Sequence, residues 1–194
     1  MKHKPEAILD AAILLFDRGG IAVSTAKVAA AAGVSNGTLF NYFSSKQRLL
    51  DAVYMHLTDE LADALGEFNT GAPPHEQFLT AWRRWLEWAK GTPEHHRVKL
   101  LLTGADLVSP QTQQVAATRF GALYDLLAEC SRANLFVDLP DEYLAETFIR
   151  QLELSIDRAL TPEQSDRAFT VLWNGIIRPT TEATPLHETF QEKS

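Results

Sequence analysis

The sequence predicts an all-α protein of about nine helices. Apolar residues recur at helical spacing along most of the 194 residues, no stretch sustains the period-two alternation of a half-buried strand, and no hairpin turn signal is found. Gly and Pro fall between the periodic segments, where they punctuate helices.

The first helix is expected from Pro5, in a first turn that tolerates proline, through the stripe Ile8, Ala11, Ala12, Leu15 and Phe16 to a stop at Gly19-Gly20. Ser24 or Thr25 caps a short helix to about Ala31, and Gly33 turns the chain. Ser35 or Asn36 caps another short helix to about Tyr42, and Ser44 or Ser45 caps a long one to about Phe68. Residues 69–74 break the pattern. Phe78, Ala81, Trp82, Trp85 and Ala89 mark the next helix, closed by Gly91-Thr92-Pro93. A helix from about Glu94 to Leu107 precedes Ser109-Pro110. One longer helix then runs to about Ala133, with Ala116, Phe120, Leu123, Tyr124 and Leu127 on one face. Pro140 opens a helix carrying Leu144, Phe148, Leu152 and Ile156. Thr161-Pro162 opens the last, with Ala168, Val171, Leu172, Gly175 and Ile176 expected to face inward and Pro179 as its stop.

Composition bounds the function. The chain is 45% hydrophobic with a formal net charge of −7, but the charge is uneven. Residues 1–50 hold six Lys/Arg against three Asp/Glu, and the rest hold 12 against 22. A mildly basic head on an acidic body suggests two regions with different partners rather than a protein that coats nucleic acid. One Cys excludes an internal disulfide, and Cys130 reads as a small core residue. The apolar runs are far too short to span a bilayer and no signal peptide opens the chain, so a soluble cytoplasmic protein without a membrane partner is expected. The adjacent His95 and His96 point to different faces of a helix start read as solvated, so no metal is expected. No Ser/His/Asp or paired-carboxylate arrangement stands out. No catalytic residue, cofactor or enzymatic activity is expected.

The informative stretch is residues 24–43. Two short helices flank Gly33, with the small Ala29 one turn earlier, and Val28, Ala32, Val34 and Leu39 form a miniature core. Helices that cross this closely need a small residue at the contact and a glycine in the turn, which is helix-turn-helix logic. In such a unit the second helix enters the major groove. Ser35, Asn36, Thr38, Asn41 and Tyr42 are its uncharged outward hydrogen-bonding groups, and asparagine pairs bidentately with adenine. Lys27 lies on the helix that crosses the DNA backbone, and Lys46 opens the next helix, where a phosphate contact suits it. The pattern also occurs in helical proteins that bind no DNA.

This segment, with Gly20-Ile21 before it and Ser45-Lys46-Gln47-Arg48-Leu49-Leu50 after it, closely resembles the TetR family of bacterial repressors over about the first 55 residues. The resemblance implies phosphate contacts at Thr25, Ser35, Tyr42 and Lys46, and places Asn36, Gly37, Thr38 and Asn41 near base edges. Phe40 stands where many members have a tyrosine that touches phosphate. Asn36 replaces a common Lys or Arg, which implies a shallower salt dependence. It further implies a DNA-binding domain over residues 1–46, a ligand-sensing and dimerising domain over 47–178 and a tail over 179–194 without regular structure. The partners are then a double-stranded operator, read as a palindrome by a homodimer, and a small aromatic or amphipathic effector that releases it. The last two helices supply the implied dimer contacts at Leu152, Ile156, Phe169, Leu172, Gly175 and Ile176. The implied effector contacts are Tyr54, Trp82, Trp85, Phe120, Tyr124, Phe148 and Gln151. For each aromatic residue, plain core packing is an equal alternative, and Trp82, Trp85 and Trp88 cannot all point one way. A second resemblance, to the RamR-like branch of multidrug-efflux regulators, rests on residues 21–25, 37–40, 54–57 and 93–97. In that branch an aromatic residue stands at the place of Gln151. Two rival readings stay open: a DNA-binding regulator without an effector, and a small-molecule-binding protein that has lost its operator.

Overall fold

The computed structural model describes residues 3–104 and 107–179. The expected tail from 180 onward therefore lies outside the described residues. The elements are α1 (Lys4–Gly19), α2 (Thr25–Ala31), α3 (Asn36–Tyr42), α4 (Lys46–Leu65), α5 (Pro74–Gly91), α6 (Pro93–Gly104), α7 (Pro110–Ala117), α8 (Gly121–Arg132), α9 (Asp141–Asp157) and α10 (Pro162–Ile176). Because α7 and α8 join directly through a 3-10 turn, Thr118–Phe120, they make one bent rod, and the rods number nine among the described residues. A single antiparallel bridge, Phe136 to Ile177, is the β contact among them.

Local chemistry sets the helix starts. Ser24, Ser35 and Ser45 each accept the N–H of the residue three positions on, so the first of each expected pair is the cap for α2 and α3, and Ser45 for α4. Two boundaries differ from expectation. Helix α4 ends at Leu65 rather than Phe68, because Gly66 adopts φ 58° and its N–H closes on the Ala62 carbonyl at 3.0 Å. The Arg84 guanidinium then donates to the carbonyls of Leu65 and Glu67, which would otherwise end the helix unpaired. Helix α6 is described as far as Gly104, residues 105–106 lying outside the described ones. The expected single helix over 110–133 tightens at 118–120, where the Thr118 hydroxyl donates to the Val115 carbonyl at 2.7 Å.

Two apolar cores result. The first joins Ile8, Ala12 and Phe16 of α1 to Val28, Leu39 and the first half of α4, and it is closed by Val98 and Leu102 of α6. The second joins α5, α8, α9 and α10 around Phe78, Trp82, Leu127, Phe148, Leu152 and Phe169. Leu61 and Leu65 of α4, with Ala81 and Trp88 of α5, fill the space between the helices. The expected boundary at residue 46 thus falls where α4 enters the first core, which reaches on into α6.

Candidate nucleic-acid interface and ligand cavity

Between α2 and α3 the chain turns through Gly33 at φ 69°, and the Val34 N–H returns to the Ala29 carbonyl at 2.9 Å. A Cβ on Gly33 would meet nothing within 4 Å, so the requirement for glycine there is conformational. Ala29 and Leu39 are fully buried beneath the turn. The opposite side of α3 is open: Asn36, Gly37, Phe40, Asn41 and Tyr42 are exposed, as is Lys27 on α2, while Thr25, Thr38 and Lys46 are half-buried. Ser35 is exposed too, but its hydroxyl accepts the Thr38 N–H at 3.0 Å and pairs with the Thr38 hydroxyl at 2.8 Å. The ten residues expected to meet DNA are therefore brought onto α2, α3 and the start of α4, around one exposed helix face.

Gly37 is informative. A Cβ there would stand 3.9 Å from Ser35 Oγ, ordinary van der Waals distance, so nothing inside the protomer calls for glycine within this helix.

Away from this face the second region encloses a cavity of about 220 Å³, walled by α4 to α10. Tyr54, Trp85, Phe120, Tyr124 and Phe148 all stand on its wall. Trp85 and Phe120 stack with centroids 6.4 Å apart and planes 11° apart, Phe120 coming from the 3-10 turn that periodicity did not foresee. Trp82 stands behind the wall: it is fully buried, and its indole N–H donates to Ser165 Oγ at 2.9 Å. Gln151 is also off the wall. It lies on an outer groove of α9 with Tyr143, Arg150 and Leu154.

The expected dimer contacts divide in the same way. Leu152 and Phe169 are fully buried inside the protomer, Leu172 and Ile176 turn toward the cavity, and Ile156 is half-buried in the core. Of the six, Gly175 is exposed, with nothing within 4 Å of an added Cβ. Val171, expected to face inward, is 71% exposed, and Leu154 and Tyr143 of α9 are exposed with it. Both helices carry apolar residues on more than one side, so periodicity locates an apolar stripe without telling which stripe the protomer buries.

The cavity also holds polar groups that sequence reasoning passed over. His96, Lys99, Leu100 and Thr103 line it from one face of α6. His96 is buried rather than solvated, and burial lowers its pKa. His95 is half-buried and meets the Glu60 carboxylate at 2.6 Å. Lys99 is buried; its Nζ donates to Thr58 Oγ1 at 2.8 Å and sits 4.2 Å from the Tyr54 ring centroid. Burial pushes its amine down to about 8. The helical spacing 96, 99, 100, 103 was visible, but a lysine on a helix reads as solvated until its neighbours are known.

The opposite face of α6 joins the DNA-side region. Val98 and Leu102 are fully buried in the first core, and Arg97 holds Asp17 of α1 through two hydrogen bonds of 2.7 and 2.8 Å, which lower the Asp17 pKa. A second tie runs through the buried Asp51 of α4. Its Oδ1 accepts the Ser109 N–H at 2.9 Å and the Gln47 amide at 3.1 Å, and Gln47 also donates to the Leu107 carbonyl at 2.8 Å.

Comparison with known proteins agrees with this layout. Residues 8–53 match the family described as bacterial regulatory proteins, tetR family. The HTH-type transcriptional regulator BetI of Rhizobium meliloti (strain 1021) is 36% identical over 74 residues, which is 37% of this chain; the chain thus matches about a third (36%) of that curated relative's length. Among solved structures, a TetR family transcription regulator from Marinobacter aquaeolei VT8 superposes with a TM-score of 0.82 at 26% identity, covering 91% of this chain and 96% of that one. A tetR family regulator from Shewanella sp. PV-4 shares the fold with a TM-score of 0.82 at 24% identity, over 92% of this chain and 100% of the other. The helical body as well as the helix-turn-helix is thus common to these structures. Among the described residues no helix is long and apolar enough to cross a membrane.

Proposed function

We propose that this chain, which belongs to the TetR family of bacterial transcription regulators, works in the cytoplasm as a homodimeric repressor of a palindromic operator and is released from it by a small molecule bound in the α4–α10 cavity. One observation carries the reading. Helix α6 faces the cavity with His96, Lys99, Leu100 and Thr103, and with its other face closes the core beneath the DNA-binding helices and grips α1 through Arg97. A ligand that shifts α6 would move α1, and with it the base of α3, whereas a ligand that binds both states equally would shift nothing. This division supports a DNA-binding unit over residues 1–46 and a sensing and dimerising unit over 47–178. The ligand is read as a wedge acting at Phe120 and α6, with Trp82 as packing behind it.

DNA contacts follow from the exposed face: Asn36, Gly37, Thr38 and Asn41 toward base edges, Thr25, Lys27, Ser35, Tyr42 and Lys46 toward phosphates, and Phe40 against the backbone without a hydroxyl. One protomer presents one α3, and a palindrome needs two held about one DNA turn apart. The outward residues Leu154, Val171 and Gly175 support a twofold contact through α9 and α10, with Tyr143 at its edge.

The test is fluorescence anisotropy on the duplex upstream of the chain's own gene, against a scrambled duplex at two salt concentrations, beside size-exclusion chromatography with light scattering. Saturable binding of an even number of protomers to the native duplex alone, with Val171→Glu shifting the protein to monomers and weakening binding, is expected. Equal binding to both duplexes, or a wild-type monomer that binds fully, overturns the proposal.

A further inference from the structure

Among the described residues the cavity wall holds an ammonium that no carboxylate pairs with. Lys99 is 9% exposed, its hydrogen-bond partner Thr58 Oγ1 is neutral, and among the described residues it makes no ion pair. Glu153 also lines the cavity, but the Arg150 guanidinium holds it at 3.1 Å. Two residues of the same wall each carry a ring nitrogen that is buried with no hydrogen-bond partner: Trp85 Nε1, which can only donate, and His96 Nε2. Buried polar groups are normally satisfied, so each unsatisfied one needs an explanation.

The aromatic cluster, taken alone, would suit a cation. That place is already filled: Lys99 Nζ sits 4.2 Å from the Tyr54 ring centroid and 6.0 Å from that of Phe120. A cationic ligand would enter beside a buried like charge, which is unfavourable in a low-dielectric site. An anion would find the opposite: a counter-ion poised at the wall, the unused Trp85 N–H, a His96 Nε2 that donates in its Nε2–H tautomer, and apolar rings for its body.

We propose that the effector is an amphipathic organic anion, an aromatic or alkyl body bearing one carboxylate that pairs with Lys99 while the unpartnered groups of Trp85 and His96 add hydrogen bonds from the same wall. This assignment rests on the effector reading above and names its ligand class. Burial without a counter-ion also accounts for the lowered pKa of Lys99, which still leaves the amine mostly protonated at neutral pH.

The test uses the full chain and three probes that share one skeleton: naphthalene-1-acetate, 2-(1-naphthyl)ethanol and 2-(1-naphthyl)ethylammonium. Each is titrated calorimetrically at pH 7 into wild type, Lys99→Met and Lys99→Arg, and each is added to the operator complex followed by anisotropy. In wild type the acetate is expected to bind at least tenfold tighter than the alcohol, with the ammonium weakest. Lys99→Met brings acetate to within threefold of the alcohol, whereas Lys99→Arg keeps the preference for acetate. Parity of acetate and alcohol in wild type, tightest binding of the ammonium, a preference that survives Lys99→Met, or no binding by any probe each overturns the assignment. The wild-type comparison decides even where a variant fails to fold. If the alcohol or the ammonium releases DNA, the effector reading stands and the anion assignment alone falls; if no probe binds or changes operator affinity, both fall.

Discussion

The helix-turn-helix and the cavity treat polar groups in opposite ways. In residues 24–46 the Ser24, Ser35 and Ser45 hydroxyls each meet a backbone N–H, the turn glycine has the conformation it needs, and the remaining polar side chains are exposed or half-buried. Around the cavity Lys99 and His96 are buried and Trp85 is half-buried, and among the described residues the ammonium makes no ion pair and the ring nitrogens Trp85 Nε1 and His96 Nε2 have no hydrogen-bond partner. The first region is complete as a scaffold and keeps its function on its outer face. The second leaves polar groups unsatisfied among the described residues, and those groups are what the proposed anionic effector would satisfy.

The comparison can be broken most sharply on the DNA side. Asn41→Ala combined with Lys46→Ala should weaken operator binding by 100-fold or more, at about 1–3 kcal/mol for a base contact plus a phosphate contact, while the melting temperature stays within a degree or two. A large fall in melting temperature would mean that these residues hold the fold together. In the cavity the sign is reversed. The folded pKa of Lys99, about 8, lies below its ordinary 10.5, so between those values the unfolded chain keeps a proton that the native chain has released. Wild-type stability therefore rises from pH 8 toward 10.5, by roughly 3 kcal/mol at most. Lys99→Met should be the more stable protein at pH 7, with the gap closing across that window; the difference between the two removes what other titrating groups contribute. Denaturant midpoints at pH 7, 8.5 and 10 check it, and a gap independent of pH would refute the buried-ammonium account.

Smaller effects separate wall from core. Trp82→Phe leaves the buried Ser165 hydroxyl without its donor and opens a void, and should cost about 2–3 kcal/mol by denaturant unfolding. Trp85→Phe loses an N–H that has no partner and should cost under about 1 kcal/mol. Equal losses would erase the distinction drawn between these two residues. The smallest change in stability belongs to Gly37→Ala, expected to be neutral or stabilising by up to about 1 kcal/mol because a Cβ fits there, while operator affinity falls about tenfold because the space is kept for DNA. Thermal melts beside anisotropy read both halves.

Most of the DNA-binding unit was legible in the order of residues because its determinants are local. A capping serine acts three residues away, a turn glycine acts on its own backbone, and the crossing of α2 and α3 depends on Ala29 and Gly33, four positions apart. The cavity was legible only in part. Tyr54, Trp85, Phe120, Tyr124 and Phe148 were recognised as an aromatic group, yet Trp82, three residues from Trp85, stands behind the wall. Helix α5 meets neighbours on several sides, so helical spacing alone does not tell which side is hollow.

Residue order by itself determined the helical class and the helix-turn-helix, since periodicity, caps and turns act within a few positions of the chain. Tertiary structure alone decided which stripe of α9 and α10 looks inward, Leu172 and Ile176, and which looks out, Val171 and Gly175. It also decided that Lys99 is enclosed rather than solvated. Burial and the dielectric around a charge depend on what six or seven other helices bring to the same point, and no local pattern carries that information.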